Sequence, residues 1–80
     1  MTFNQLNAIA AADGLELNYG GGYFFWWGTT EAMKLKTAGL YTTSVEVQRF
    51  LDLTAAQWLE SLASIKKQIS AGEEKEDTNL

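Results

Sequence analysis

The sequence contains neither cysteine nor histidine, and these two absences remove several kinds of chemistry. Without cysteine the chain has no disulfide framework and no thiolate nucleophile. Without histidine it lacks the commonest metal ligand and the usual general base near neutral pH. We therefore expect no catalytic residue, no metal site and no cofactor, and we interpret the chain as a binding protein rather than an enzyme.

Long apolar segments are missing as well. No run of apolar residues approaches the roughly 18 that a membrane-spanning helix requires. The first residues, Met1 to Gln5, lack the positive charge and apolar stretch of a secretory signal. We expect no contact with a membrane, and the cytoplasm is the default location.

Basic side chains are few and scattered. The net charge of −4 is concentrated in residues 73–77, which carry −3, whereas residues 1–72 hold five basic and six acidic side chains. A protein that binds nucleic acid directly needs a basic stripe. The available cations are too dispersed to form one: Lys34, Lys36, Arg49, Lys66 and Lys67. We therefore expect no direct binding of nucleic acid.

The chain compensates for its small size with aromatic residues. Eighty residues make one small domain, which buries only about 60% of the surface of its unfolded chain. Three Trp, four Phe and three Tyr are present. Because each of these side chains can bury roughly 150–250 Å², hydrophobic packing alone can support a fold.

The N-terminal segment predicts a helix. Thr2 and Gln5 have the spacing of a capping box, in which each side chain accepts a hydrogen bond from a free backbone N–H. Gly14 suits the left-handed conformation that ends many helices. The apolar residues between them fall on one helical face: Phe3, Leu6, Ile9 and Ala10.

Next comes a predicted β-hairpin. Residues 15–19 alternate between apolar and polar side chains, which is typical of a half-buried strand. Gly20–Gly22 form the turn, since glycine adopts positive φ without steric cost. Tyr23–Trp27 give a second strand, rich in the aromatic residues that strands favour.

The middle of the chain is harder to interpret. Residues 28–40 are compatible with a short helix over 31–38, capped by Thr29 or Thr30 and ended by Gly39, or with an irregular segment. Residues 41–47 predict a third strand. One face of that strand would carry Tyr41, Thr43, Val45 and Val47, and the other Thr42, Ser44 and Glu46.

The last helix has the clearest signals. Thr54 and Gln57 repeat the capping-box spacing, and Leu53 can pack on Trp58 as a hydrophobic staple. One apolar stripe follows at helical spacing: Trp58, Leu62, Ile65 and Ile69. We place the end of the folded domain at residue 70 and predict that the acidic tail, residues 71–80, is disordered.

These elements define an α+β fold. The predicted order is α-β-β-(α)-β-α, with a small antiparallel sheet of about three strands packed against the N- and C-terminal helices. Both faces of the second strand are aromatic, because side chains alternate along a strand. One face carries Tyr23, Phe25 and Trp27, and the other carries Phe24 and Trp26.

Only one of these aromatic sets can lie beneath the helices. The other is covered by residues 29–40, serves a homodimer, or contacts a different protein, since exposed apolar patches usually mark interaction sites. Stacking on single-stranded nucleic acid ranks below these, because no basic groove adjoins the rings. Acidic residues on the polar face would suit basic groups of a partner. The candidate partner-binding residues are Tyr23, Phe24, Trp26, Trp27, Glu16 and Glu46.

Two other patterns carry no chemistry. The glycine triplet lacks the lysine, the hydroxyl residue and the following helix of a phosphate-binding loop. The sequence also contains three scattered acids: Glu16, Glu46 and Asp52. Nothing in it places two of them in a pocket that would raise the pKa of one above that of the other, as a general acid and a general base require.

Three stretches in combination resemble small proteins carried by phages and prophages of proteobacteria: Gly22–Trp27, Thr43–Val47 and Asp52–Leu59. They cover about a quarter of the chain and are structural signatures rather than functional motifs. Within that group the chain is most similar to type I-C anti-CRISPR proteins. The resemblance implies a non-enzymatic protein that acts in the cytoplasm of a bacterial host. It would evade host defence by binding the CRISPR surveillance complex, Cascade, and blocking target DNA.

The residues themselves leave a second hypothesis open. A phage structural or assembly module that acts as a homo-oligomer would have the same size and the same surplus of aromatic residues. In that case the exposed aromatic set would be used by copies of this chain rather than by a host protein.

Overall fold

The computed structural model describes residues 1–40 and 43–78, with side chains described as far as Gly72. The fold is α+β, as the sequence predicts. Its elements in chain order are α1 (Phe3–Ala11), β1 (Leu15–Gly20), β2 (Tyr23–Gly28), α2 (Glu31–Ala38), β3 (Ser44–Val45), a 3₁₀ helix (Phe50–Asp52) and α3 (Ala55–Thr78). The described strands form one antiparallel sheet in the order β1-β2-β3. No helix in the described residues is long and apolar enough to cross a membrane.

Helix α1 begins and ends as its local signals predict. The Gln5 backbone N–H donates to Thr2 Oγ1 at 3.1 Å, and the Thr2 N–H donates to Gln5 Oε1 at 2.8 Å. Gly14 then has a φ of +73°, a conformation that only glycine adopts readily. Leu6 and Ala10 are buried. Ile9, which we expected on the same face, is exposed, because it lies at the margin of a stripe centred on those two residues.

The hairpin between β1 and β2 has a two-residue turn. Gly21 and Gly22 have φ values of +67° and +85°, and two successive positive φ angles characterise the type I′ turn that suits the twist of paired strands. In the resulting register Leu17 lies opposite Trp26, and Asn18 lies opposite Phe25. The two flanking strands therefore hold the aromatic residues of β2 at fixed positions.

Strand β3 is shorter than the sequence predicts. Only Ser44 and Val45 are assigned to it, although the Thr43 carbonyl also accepts a hydrogen bond from the Trp26 N–H at 3.0 Å. The Val47 N–H donates to the Val45 carbonyl at 3.0 Å. A hydrogen bond over two residues marks a tight γ-type turn, and this turn ends the strand before Glu46. The predicted strand positions 41 and 42 lie outside the described residues.

Helix α2 confirms the helical interpretation of residues 31–38. Thr30 caps it, since Thr30 Oγ1 accepts a hydrogen bond from the Met33 N–H at 3.2 Å. The helix packs against the end of β2 at Gly28, where an added Cβ would overlap the Met33 backbone. Thr37 is buried beside this contact, and its hydroxyl accepts from the Gly28 N–H at 3.3 Å. Gly28 thus allows the helix to approach the strand closely.

Helix α3 contributes three residues to the buried core. The predicted capping box is formed, with Thr54 N–H to Gln57 Oε1 at 2.8 Å and Gln57 N–H to Thr54 Oγ1 at 3.2 Å. Trp58 is fully buried. Its ring stacks on Phe50 at 5.2 Å, and its indole N–H donates to the Phe50 carbonyl at 2.7 Å. The buried apolar core consists of Leu6, Ala10, Leu15, Leu17, Phe24, Trp26, Trp58, Leu62 and Ile65.

The backbone of α3 continues to Thr78, beyond the boundary that we placed at residue 70. Glu and Lys are good helix formers, and no proline interrupts residues 71–78, so the helix continues through Gly72 although glycine is a poor helix former. The side chains beyond Gly72 lie outside the described part of the chain. A domain ending at residue 70 and a disordered tail stay predictions.

Candidate functional site

The two aromatic sets of β2 have opposite environments. Phe24 and Trp26 face the helices and are 5% and 0% exposed. The Trp26 indole N–H donates to Ser61 Oγ on α3 at 2.9 Å, and the Phe24 ring lies 5.4 Å from that of Trp58. These two residues belong to the core, so we remove them from the candidate partner-binding residues.

The other set forms what we call the outer face: Tyr23, Phe25 and Trp27 of β2, with Glu16 and Asn18 of β1. Tyr23 is 40% exposed, and Phe25 and Trp27 are half-buried. The rings of Tyr23 and Phe25 lie 6.1 Å apart at an angle of 53°. Three aromatic side chains in a row therefore reach solvent on the side of the sheet away from the core.

One glycine of the hairpin makes room for a ring of the outer face. A Cβ on Gly21 would lie 3.1 Å from Tyr23 Cε1, which is closer than ordinary contact, whereas a Cβ on Gly20 would be in ordinary contact with Phe25 Cε1 at 3.9 Å. Gly21 thus serves the outer face as well as the turn.

A shallow concavity of about 250 Å³ opens beside the rings. Its lining residues are Tyr23, Phe25, Trp27, Thr43 and Ser44. This volume falls below the roughly 300–1,000 Å³ of typical small-molecule sites, and it suits a single protein side chain better. We expected that residues 29–40 could cover this set, yet none of them lines the concavity in the part of the chain that the structure describes.

Glu16 and Asn18 share the outer face because they pair directly with its aromatic residues. Glu16 lies opposite Trp27, and Asn18 lies opposite Phe25. Residues that are directly opposite in an antiparallel pair point to the same side of the sheet. Asn18 Nδ2 donates to Glu16 Oε1 at 3.4 Å, which holds the carboxylate on this face. The structure therefore brings Glu16 together with Tyr23 and Trp27 of the candidate residues.

Glu46 does not join this group. It is exposed and follows β3 in the turn that ends that strand. Glu16 lies on the opposite edge of the sheet and near the opposite end of β2. Ordinary strand spacings put the two residues roughly 15 Å apart. Glu16 and Glu46 therefore do not share one acidic patch.

The remaining acid of interest has a structural role. Asp52 Oδ2 accepts a hydrogen bond from the Arg49 backbone N–H at 3.0 Å, and this contact closes the 3₁₀ helix. Within the described residues, no three side chains of the types that ligate metals come together.

Three residues of the site were missed or only partly identified from the sequence. Phe25 was placed on the correct aromatic set but not among the candidates. Thr43 and Ser44 both line the concavity, although period-two alternation assigned them to opposite faces of a longer strand.

Comparisons of the chain with family models, with curated proteins and with solved structures find no match.

Proposed function

We propose that this protein is a non-enzymatic inhibitor that binds a type I CRISPR surveillance complex, specifically that of type I-C, and blocks its binding of target DNA. The observation that carries the proposal is the outer face, where one exposed and two half-buried aromatic side chains reach solvent on a sheet whose other face is packed beneath helices. The partner is a bacterial host protein complex, and the protein acts in the cytoplasm.

The side chains of the outer face are of the types that dominate binding energy between proteins. Trp and Tyr are enriched at interface hot spots. Their large rings bury area at little cost in conformational entropy, since each has two side-chain torsions. Phe25 adds a third ring, and the concavity beside it offers space for a side chain of the partner.

The charge of the outer face also supports this kind of partner. Glu16 is its charged member, and none of its described residues is a cation. A complex that holds DNA presents arginine and lysine side chains to phosphates. A surface that pairs a carboxylate with aromatic rings can contact such side chains and occupy the place of the DNA.

A gel-shift experiment tests the proposal directly. Purified type I-C surveillance complex is mixed with labelled target DNA in the presence of increasing amounts of this protein. We expect the shifted DNA band to disappear when the protein is in excess. We also expect the protein to co-migrate with the complex on size-exclusion chromatography.

Two variants make the test specific for the outer face. The double variant Tyr23→Ala with Trp27→Ala should need at least about tenfold more protein for the same inhibition, because it removes two hot-spot side chains. Leu51→Ala is the matched control, since Leu51 is 84% exposed in the 3₁₀ helix and lies outside the outer face. It should inhibit as the unmodified protein does.

Unchanged DNA binding, with no co-migration, would contradict the proposal. The alternative is then a phage structural or assembly module that acts as a homo-oligomer. Light scattering separates the two, since an inhibitor with a free outer face is a monomer, whereas a module of this kind is a stable oligomer that dissociates in the double variant.

A further inference from the structure

Glu16 differs from the other half-buried acid of the described chain because no cation lies beside it. That other acid, Asp13, forms an ion pair with Lys66, with 3.3 Å between Oδ2 and Nζ. Glu16 accepts one long hydrogen bond from Asn18, and the ion pairs of the described residues do not include it. Glu16 therefore has no countercharge among the described residues, so a cation of a partner would not have to displace one.

The nearest aromatic neighbour of Glu16 is the tryptophan opposite it. The Thr29 N–H donates to the Gly14 carbonyl at 2.9 Å, one pair beyond the end of β1. Hydrogen-bonded and non-hydrogen-bonded pairs alternate in an antiparallel ladder, which makes Glu16 and Trp27 a hydrogen-bonded pair with about 5.5 Å between their Cα atoms. A carboxylate and an indole ring therefore stand side by side on the outer face.

The indole of Trp27 is also available, unlike those of the other two tryptophans. Trp26 and Trp58 donate their indole N–H groups to Ser61 and to the Phe50 carbonyl. No hydrogen bond within the described residues uses the Trp27 indole. Because Trp27 lines the concavity, part of its ring is open to an incoming group.

The geometry points to an arginine side chain of the partner protein as the group that the outer face binds, with the guanidinium against Trp27 and beside the Glu16 carboxylate. Arginine is favoured because its planar group both stacks on aromatic rings and matches a carboxylate with two parallel N–H donors. Tryptophan is the best aromatic partner for a cation. The inference rests on the proposed function for the identity of the partner, but the preference for arginine can be tested on the isolated protein.

The test is an NMR titration of the tryptophan indole N–H signals with N-acetyl-L-arginine amide. The Trp27 signal is assigned by its loss in Trp27→Phe. We expect a saturable shift of that signal, while the signals of Trp26 and Trp58 stay in place as internal controls. N-acetyl-L-lysine amide should bind more weakly, and the uncharged N-acetyl-L-norleucine amide should cause no saturable shift.

Two variants with the same change of charge distinguish a local contact with Glu16 from the overall electrostatic field of the protein. Glu16→Gln should weaken binding of the arginine derivative by about threefold, the scale of an exposed ion pair. Glu46→Gln is the matched control at the far corner of the sheet and should leave binding unchanged. In the unmodified protein, raised salt should also weaken binding, which tests the electrostatic contribution without any substitution.

The inference is overturned if the Trp27 signal does not shift saturably, if the lysine derivative binds equally well, or if both variants lose the same affinity. Its failure is distinguishable from failure of the proposed function. If the arginine derivative does not bind but the protein still inhibits DNA binding, the proposed function stands and only the arginine contact is rejected. If the arginine derivative binds saturably but the protein does not inhibit DNA binding, the proposed function is rejected and the arginine site stands.

Discussion

Trp26 and Trp27 are neighbours in the chain, yet one is fully buried beneath the helices and the other lines a concavity at the surface. Trp26 hydrogen-bonds to Ser61 of α3, whereas the Trp27 indole has no such contact in the described residues. The two faces of β2 have nearly the same composition. The comparison shows that aromatic content alone does not distinguish a packing residue from a binding residue. What distinguishes them is which side of the sheet the helices cover.

The largest effect should come from Trp26→Ala. This change removes a fully buried ring from a thin core, and we expect a loss of about 3–5 kcal/mol in the free energy of unfolding. A domain of this length has a total stability of only about 4–12 kcal/mol. Urea denaturation followed by circular dichroism measures the loss. A decrease below about 1 kcal/mol would show that the inner face is not the core.

A smaller loss should follow from Trp58→Phe, which keeps an aromatic ring in the core and removes its N–H. The Phe50 carbonyl then loses the donor that lies 2.7 Å away. The carbonyl keeps a longer hydrogen bond from the Leu53 N–H at 3.4 Å, so this part of the loss is that of one hydrogen bond, about 0.5–1.5 kcal/mol. The smaller ring also leaves part of the indole's space empty, and we expect a total loss of about 1–3 kcal/mol. Thermal unfolding of this variant beside the unmodified protein provides the measurement. No change in stability would mean that water replaces the donor and that this end of the core is open.

Trp27→Ala sharpens the comparison most, because it makes the same chemical change one residue along the chain from Trp26→Ala. Since Trp27 is half-buried, we expect a loss of only about 1 kcal/mol in stability, together with a marked loss of inhibition in the gel-shift assay. If Trp27→Ala unfolds the protein as Trp26→Ala does, the outer face has a structural role and the distinction between the faces fails.

Truncation after Ala71 should have the smallest effect. The removed segment holds little apolar material, so we expect an unchanged unfolding midpoint and unchanged inhibition. The measurement matters because residues 73–77 carry most of the net charge and offer another source of electrostatic binding. Weaker inhibition with unchanged stability would show that the tail forms part of the interface with the partner.

The length of the hairpin loop determines which aromatic set of β2 lies on the same side as the leucines of β1, and period-two alternation alone does not give that length. A two-residue turn anywhere within Gly20–Gly22 places Phe24 and Trp26 on the same side as Leu15 and Leu17. A three-residue loop reverses this assignment, because a shift of one residue moves every side chain to the other face. The sequence did not select the loop length, since three successive glycines permit both.

Local signals allowed the sequence by itself to determine most of the elements. Capping boxes at Thr2 and Thr54, the glycine turn and the apolar stripe of α3 all act within a few residues, so they operate before distant parts of the chain meet. The 3₁₀ helix and the early end of β3 were not predicted. The 3₁₀ helix is held by three local hydrogen bonds between residues 49 and 53, and β3 ends at the bond from the Val47 N–H to the Val45 carbonyl. The alternation of residues 41–47 does not show where such a turn interrupts the strand.

Only the tertiary structure decided which aromatic residues are available for binding. Helices α1 and α3 cover the face that carries Leu15 and Leu17, and the residues opposite those two leucines are buried with them. The same packing left Glu16 beside Trp27 and kept Glu46 at a distant corner. The order of elements was determined by interactions between close neighbours in the sequence, whereas the site was decided by contacts between residues far apart in the sequence.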